Sequence, residues 1–103
     1  MQINHSAKES KGSYSYQETP THPIALLTYS RAGETMIILD HTEVPDVYRG
    51  RNIGVALVER AVADARRTGV TIVPLCPFAA AQFRRHPEWH DVLGRHEGSK
   101  PQP

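Results

Sequence analysis

The sequence predicts an α/β fold built on a small mixed sheet, mostly antiparallel, in the order β-β-β-α-β-α. Three observations predict it. The stretch Ile53 to Thr68 repeats apolar residues at three- and four-residue steps, the period of a helix with one buried face. Short runs rich in aliphatic, β-branched or aromatic residues lie on either side of it, bounded by glycine or proline, and read as strands. A strand before the helix and a strand after it read most simply as one right-handed crossover.

In chain order, Ser13 to Gln17 (SYSYQ) alternates small polar and aromatic residues, a first strand. Pro20 and Pro23 break it. Ile24 to Ser30 (IALLTYS) is the second strand, and Arg31 to Glu34 is a turn in which Gly33 is free to take positive φ. Thr35 to Val44 (TMIILDHTEV) pairs back antiparallel, and Pro45 ends that ladder. In the helix, Ile53, Ala56, Leu57, Ala61, Val62 and Ala65 form the apolar stripe. Gly69 stops the helix, with Arg66 and Arg67 near the negative end of its dipole. Val70 to Leu75 is a short buried strand. Pro77 stands at a first helical position, and Pro87 ends that second helix near His86. Residues 1–12 and 96–103 show no period and read as a loose start and a disordered tail around one domain, 13–95.

Composition narrows the class. A chain of 103 residues has room for one core. No apolar run spans a bilayer, and Met1 to Pro20 is polar throughout, so neither a membrane protein nor a secretory signal is expected. One cysteine suits a reducing cytoplasm, the expected location. The net charge of +1 argues against general nucleic-acid binding. Within it, seven Arg and two acids between Arg49 and Arg85 leave a local charge of +5, against −4 for the rest. Arginine suits forked phosphate recognition.

That charge surrounds the most informative stretch, Val44 to Leu57 (VPDVYRGRNIGVAL). A strand ends, a short glycine-bearing loop follows, and a helix opens near Asn52 to Gly54. The first turn of a helix has unsatisfied N–H groups and a partial positive charge, which together favour an anion. Gly50 and Gly54 remove side chains where a ligand or another backbone must come close. Arg49 and Arg51 add charges suited to a diphosphate. The plainer reading is an ordinary strand-to-helix turn with solvated arginines.

Arg49-Gly50-Arg51-Asn52-Ile53-Gly54 resembles the acyl-coenzyme A pyrophosphate loop of the GCN5-related N-acetyltransferases, written Arg/Gln-x-x-Gly-x-Gly/Ala. It matches at Arg49 and Gly54. Asn52 replaces the middle glycine, and asparagine tolerates left-handed φ better than most residues. More narrowly, the chain is similar to very small members of that superfamily through His41-Thr42-Glu43-Val44-Pro45, Pro74-Leu75-Cys76 and His86-Pro87-Glu88-Trp89. The resemblance runs from about residue 12 to residue 93. It implies a minimal acetyltransferase fold with splayed central strands, ending near Val44 and Leu75, and the pantetheine arm of acetyl-CoA between them. It also implies a pyrophosphate site at Arg49, Gly50, Arg51, Asn52, Ile53, Gly54 and Val55, with backbone at Val44.

Two residues are candidates for chemistry. Cys76, just before Pro77, takes the extended conformation of an N-cap, and a helix N-terminus stabilises a thiolate. Cys76 then either accepts the acetyl group or protonates departing coenzyme A; the plainer reading is a buried, inert thiol. His41 titrates in the range of a general base for an amine and shares a strand face with Glu43, opposite Asp40, Thr42 and Val44. Its plainer reading is a histidine satisfied by backbone beside a bulge. His86, Glu88 and His90 suggest a metal, but Pro87 keeps them off one helix face, and no metal is expected. Trp89 reads as an aromatic cap. The Arg66–Arg67 and Arg84–Arg85 pairs are solvated helix ends, one of which can reach the 3′-phosphate of coenzyme A.

The resulting expectation is an acetyl-CoA-dependent N-acetyltransferase with an unidentified amine acceptor. The short turn at Arg31 to Glu34 leaves the acceptor side open, which suits a large acceptor such as a protein. The alternative is a non-catalytic acetyl-CoA or CoA-binding module or sensor. A monomer or weak dimer is expected, without nucleic acid or membrane.

Overall fold

The buried side chains of the sheet, Val73 excepted, point to one face, and both helices lie on that face. The computed structural model describes residues 1–94; the expected tail, 96–103, lies outside the described residues. The strands are β1 (Asn4–Ala7), β2 (Lys11–Tyr16), β3 (Ala25–Arg31), β4 (Met36–Glu43) and β5 (Thr71–Pro74), with α1 (Ile53–Thr68) and α2 (Pro77–Arg85). They form a single sheet in sequential order, antiparallel from β1 to β4, with β5 parallel to β4 through the α1 crossover. This is the α/β, mostly antiparallel sheet that the sequence predicts.

Leu57, Val58, Ala61, Val62 and Ala65 of α1 pack on Tyr14, Tyr16, Leu27, Tyr29, Ile37, Leu39 and Ile72 of the sheet. Leu27, Leu39, Leu57 and Ile72 are wholly buried, each contributing about 1.5–3 kcal/mol of transfer free energy before entropy is charged. Helix α1 stops where the sequence says, with Gly69 left-handed at φ 77° and its N–H bonded to the Ala65 carbonyl. Helix α2 begins with Pro77 after an extended Cys76. A 3₁₀ segment, Pro87–Val92, folds back on both helices; Trp89 is buried there, edge-on to Phe83 and stacked on His86. Among the described residues no helix is long and apolar enough to cross a membrane.

Two findings depart from the sequence reading. The first is β1, inside the segment expected to be loose. Asn4–Ala7 is exposed along its length, so no apolar period marks it. The ladder to β2 holds it, together with one side chain: His5 stacks on Tyr14 at 4.3 Å and its Nε2 lies 2.7 Å from the Tyr29 hydroxyl. Beneath that ring, Tyr14 donates to Asp64 (2.8 Å), which also takes guanidinium bonds from Arg60 and Arg67. The second is a bulge in β4, which departs from the strict alternation read for that strand and which only the plainer reading of His41 allowed for. Tyr29 pairs with Leu39 but Thr28 pairs with His41, which inserts Asp40 as an extra residue. Past it the alternation reverses, so Thr42 rather than His41 lies on the face of Leu39, opposite Leu27. Asp40 leaves the face shared with Thr42 and instead accepts a hydrogen bond from Ser30 at 2.7 Å. His41 and Glu43 do share a face, paired with Thr28 and Leu26.

Candidate active site

Strands β4 and β5 run together only as far as Leu39 and Pro74. The Leu39 carbonyl takes the last two bonds, from the N–H groups of Leu75 (3.2 Å) and Cys76 (3.0 Å). Beyond it β4 continues through Glu43 with no β5 partner, because Cys76 and Pro77 turn the chain into α2. The result is a notch on one edge of β4, between the ends of the two strands.

The turn into α1 lies beside that notch. Tyr48, buried to 1% exposure, anchors it: its hydroxyl donates to the Pro23 carbonyl (2.9 Å) and accepts the Glu18 N–H (3.1 Å). From Tyr48 the chain rises through Gly50 at φ 79° to Asn52 at φ 58°. Among the described residues Asn52 is the one non-glycine in the left-handed region, at the position where the acetyltransferase pattern has its middle glycine. Its side chain does not cap the helix. The N–H groups of Ile53, Gly54 and Val55 therefore have neither an intrahelical partner nor a cap, and form the donor end of a 16-residue helix. An open concavity of about 410 Å³ lies over them, lined by Val44, Tyr48, Arg49, Gly50, Asn52, Ile53, Gly54, Val55 and Phe78.

Gly54 has a second, plainly structural reason to be glycine. A Cβ there would sit 2.8 Å from Phe78 Cζ and 3.2 Å from Val44 Cγ2, so its absence lets α2 and the end of β4 close on the start of α1. Ile53 is core, with its side chain 1% exposed; only its backbone can face a ligand. Arg49 and Arg51 each have an acid partner: Arg49 bonds Asp46 at 2.8 Å and Arg51 bonds Glu18 at 2.7 Å, both exposed. The Arg51 guanidinium holds the Glu18 carboxyl below the usual carboxylate range. Exposed pairs of this kind contribute little to stability and exchange readily for another anion.

Cys76 is buried to 6% and its Sγ lies 3.2 Å from Thr42 Oγ1 across the notch. His41 sits on the opposite face of β4, exposed, with Nε2 3.9 Å from Glu43 Oε1. The structure thus gathers Val44 and Arg49 to Val55 into one surface and puts Cys76 beside it, but does not bring His41 and Cys76 together. Phe78 and Thr42 are the site residues that sequence reasoning passed over. The position of the bulge that turns Thr42 toward Cys76 has no local sequence signal; Thr42 entered only within a motif and as a residue of the face opposite His41.

The remaining candidates resolve structurally. His86 Nδ1 donates to the Gln82 carbonyl and His90 Nε2 to the Phe83 carbonyl, each at 2.8 Å. No group of three or more His, Cys, Asp or Glu among the described residues is placed to hold a metal. Arg66 is bound by Asp91 through two 2.7 Å bonds, and Arg67 by Asp64. Both stand at the C-terminal end of α1, about 20 Å from its N-terminus, too far to serve a ligand held there.

Comparison with known proteins bears on the family and the fold. The human Protein NATD1 is 46% identical over 41 residues, 40% of this chain and 36% of that one. The chicken Protein NATD1 is 36% identical over 62 residues, 60% of this chain and 54% of that one, so the match spans about half of that relative's length. The NMR solution structure of a GCN5-like protein from Staphylococcus aureus superposes with a TM-score of 0.68 at 25% identity, covering 96% of each chain. The family model described as GCN5-related N-acetyl-transferase matches residues 13–92, the notch and the glycine turn included. With that family's model matched over most of its length and the fold shared, the chain belongs to the GCN5-related N-acetyltransferases.

Proposed function

We propose that this chain is an acetyl-CoA-dependent N-acetyltransferase whose donor lies across the α1 turn with its thioester in the β4–β5 notch. The observation that carries the reading is the parting of β4 and β5 beyond Leu39 directly beside an uncapped helix N-terminus. The N–H groups of Ile53, Gly54 and Val55 would take the pyrophosphate, with Gly50 and Asn52 in the left-handed turn that points them outward. Arg49 and Arg51 would exchange Asp46 and Glu18 for phosphate oxygens. The unpaired edge of β4 up to Val44 would bond the pantetheine amides, as an added strand would.

The chemistry divides between the two faces of β4. His41 would take a proton from the amine. The nitrogen lone pair then forms a C–N bond with the thioester carbonyl carbon, the C–S bond breaks, and the coenzyme A sulfur leaves as a thiolate. Cys76, hydrogen-bonded to Thr42, would supply that sulfur's proton and be reprotonated through solvent as the nitrogen sheds its second proton to become the amide. The second reading, a non-catalytic acetyl-CoA-binding module, draws on the separation of His41 from Cys76.

Calorimetry with acetyl-CoA, with coenzyme A and ATP as controls, tests the donor site. Micromolar binding lost in Gly54→Glu is expected; no binding at millimolar ligand sinks the enzyme reading. Cys76→Ala and His41→Ala then separate the two readings, since an enzyme keeps binding and loses transfer while a binding module is unaffected by either.

A further inference from the structure

Alternation along β3 carries Leu27, Tyr29 and Arg31 to the face that bears the helices. Leu27 and Tyr29 are buried there, whereas Arg31, paired in register with Ile37, comes out where α1 ends near Thr68 and stays exposed. Between the strand ends and the last turn of α1 lies a concavity of about 390 Å³. Ile37, Ala65 and Val70 give it an apolar lining beside the rings of His5, Tyr14 and Tyr29. That volume falls at the lower end of the range that holds small molecules, about 300–1,000 Å³.

Its polar groups divide into used and unused. The Tyr14 hydroxyl is given to Asp64, and the Tyr29 hydroxyl is bonded to His5 Nε2. Asp64, with its side chain 17% exposed, also takes Arg60 and Arg67. The acid pairs that hold Arg49, Arg51, Arg60, Arg66 and Arg67 leave Arg31 out. Arg67 is 70% exposed and meets Asp64 through one 3.3 Å bond, so most of its N–H donors stay open. Three guanidiniums thus stand against one carboxylate, an excess of two positive charges. That outweighs the roughly half negative charge of the helix end. The His5 ring feels the same excess: burial lowers its pKa first, and Arg60, Arg31 and Arg67 lower it further against Asp64 alone.

We propose that this concavity is a binding site for a small organic carboxylate with a compact apolar or aromatic body. Arg31 and Arg67 take the carboxylate at the rim through their forked donors, and the body rests on Ile37, Ala65 and Val70. Each half of the site excludes a different ligand. An inorganic anion satisfies the guanidiniums and leaves the apolar lining in water. A neutral ligand covers the lining and leaves the guanidiniums unpaired, and an amine meets the excess positive charge. The site stands at the far end of α1 from the donor turn, so it is independent of the acetyl-transfer reading.

The test titrates the full, isotope-labelled chain with sodium benzoate at constant pH and ionic strength. Controls are benzamide, benzylamine, acetate and inorganic phosphate. The expected result is saturable amide shift changes centred on Arg31, Ile37, Thr68 and Val70, with millimolar affinity for benzoate. Acetate and phosphate should bind several-fold more weakly, and benzamide and benzylamine should leave those amides in place. Arg31→Gln should weaken benzoate about tenfold, and Arg31→Lys, which keeps the charge without the fork, should fall between. Arg31 is exposed, so both variants should keep the parent melting temperature without ligand. Equal shifts with benzamide, with acetate or with phosphate would each overturn the proposal. So would shifts centred on Gly54 and Val55, unchanged binding by Arg31→Gln, or no shifts at tens of millimolar benzoate.

Discussion

The two ends of α1 differ in how they treat polar groups. At the C-terminal end, under β1, the side chains form one paired network. Tyr14 donates to Asp64, Asp64 takes Arg60 and Arg67, and His5 joins Tyr29 while stacking on Tyr14. At the N-terminal end the backbone donors of Ile53 to Val55 have no cap, and the nearby arginines pair with exposed acids, Arg51 also lying over the Tyr48 ring. The first end has more titratable groups and the larger disturbance of their ionisation: burial and then the Asp64 hydrogen bond push the Tyr14 hydroxyl far above its ordinary value. A dense, satisfied network is nevertheless what a structural clamp looks like. Open donors beside a gap between strands are what a site looks like, and the difference is legible in who is left without a partner.

Tyr29→Ala should break the clamp and leave the other end alone. Tyr29 is buried to 3% and is His5's hydrogen-bond partner, so the truncation costs about 3–5 kcal/mol, as for other large aromatic residues. Thermal unfolding should shift down by on the order of 10–20 °C. Acetyl-CoA affinity of the folded protein should stay within a factor of about two. A parallel loss of affinity would show the two ends to be coupled.

Asn52→Val acts on the opposite end. A β-branched residue at φ 58° costs about 1–2 kcal/mol, since the left-handed region brings Cβ against the following carbonyl. The expectation is a modest fall in stability together with weaker acetyl-CoA binding, while Asn52→Gly retains both. Urea denaturation and calorimetry on the same pair of variants check it. Equal binding by all three proteins would remove the turn from the donor site.

What the sequence made legible follows the range over which each signal acts. Gly33, Gly69 and Pro77 set turns, stops and starts through their own backbone preferences, and the α1 stripe reports its burial within a few residues. The glycine turn before α1 was readable for the same reason. Strand β1 was not, because its residues bury nothing and only the ladder to β2 orders them. The Asp40 bulge entered only through the plainer reading of His41; which residue slips is set between two strands, and neither strand's composition encodes it. Through that slip the partners of Cys76 and the face of Asp40 were hidden. The acid partner of Arg51 lies at Glu18, 33 residues away, beyond any local pattern.

Acid sharpens the comparison further. At Asp64, burial pushes the carboxyl up, but the hydrogen bonds from Tyr14 and Arg67 and the charge of Arg60 outweigh it and hold it below its usual range. A depressed carboxylate contributes stability that is complete above its unfolded value, about 3.9, and is lost as pH falls through the folded value. Tyr14→Phe removes one hydrogen bond, at about 1 kcal/mol at neutral pH. It should also flatten the loss of stability below about pH 4, followed by denaturation midpoint.

His5 should give the smallest effect. Partial burial lowers its pKa first, Arg60, Arg31 and Arg67 lower it further, and Asp64 opposes them. The folded protein therefore binds this proton less readily than the unfolded chain does. Stability is complete above the ordinary histidine value, about 6.5, and falls as pH drops through the folded value, before any carboxylate titrates. With the ring partly exposed, solvent screening leaves a few tenths of a kcal/mol. His5→Gln retains a hydrogen-bonding group for Tyr29 and removes the titration, so the stability of that variant should be flat just below about pH 6.5, where the parent declines. Acetyl-CoA binding across the same interval should be identical in the two proteins, because the ring lies at the opposite end of α1 from the uncapped donors. A pH-dependent difference in binding between them would place β1 in the working half of the molecule.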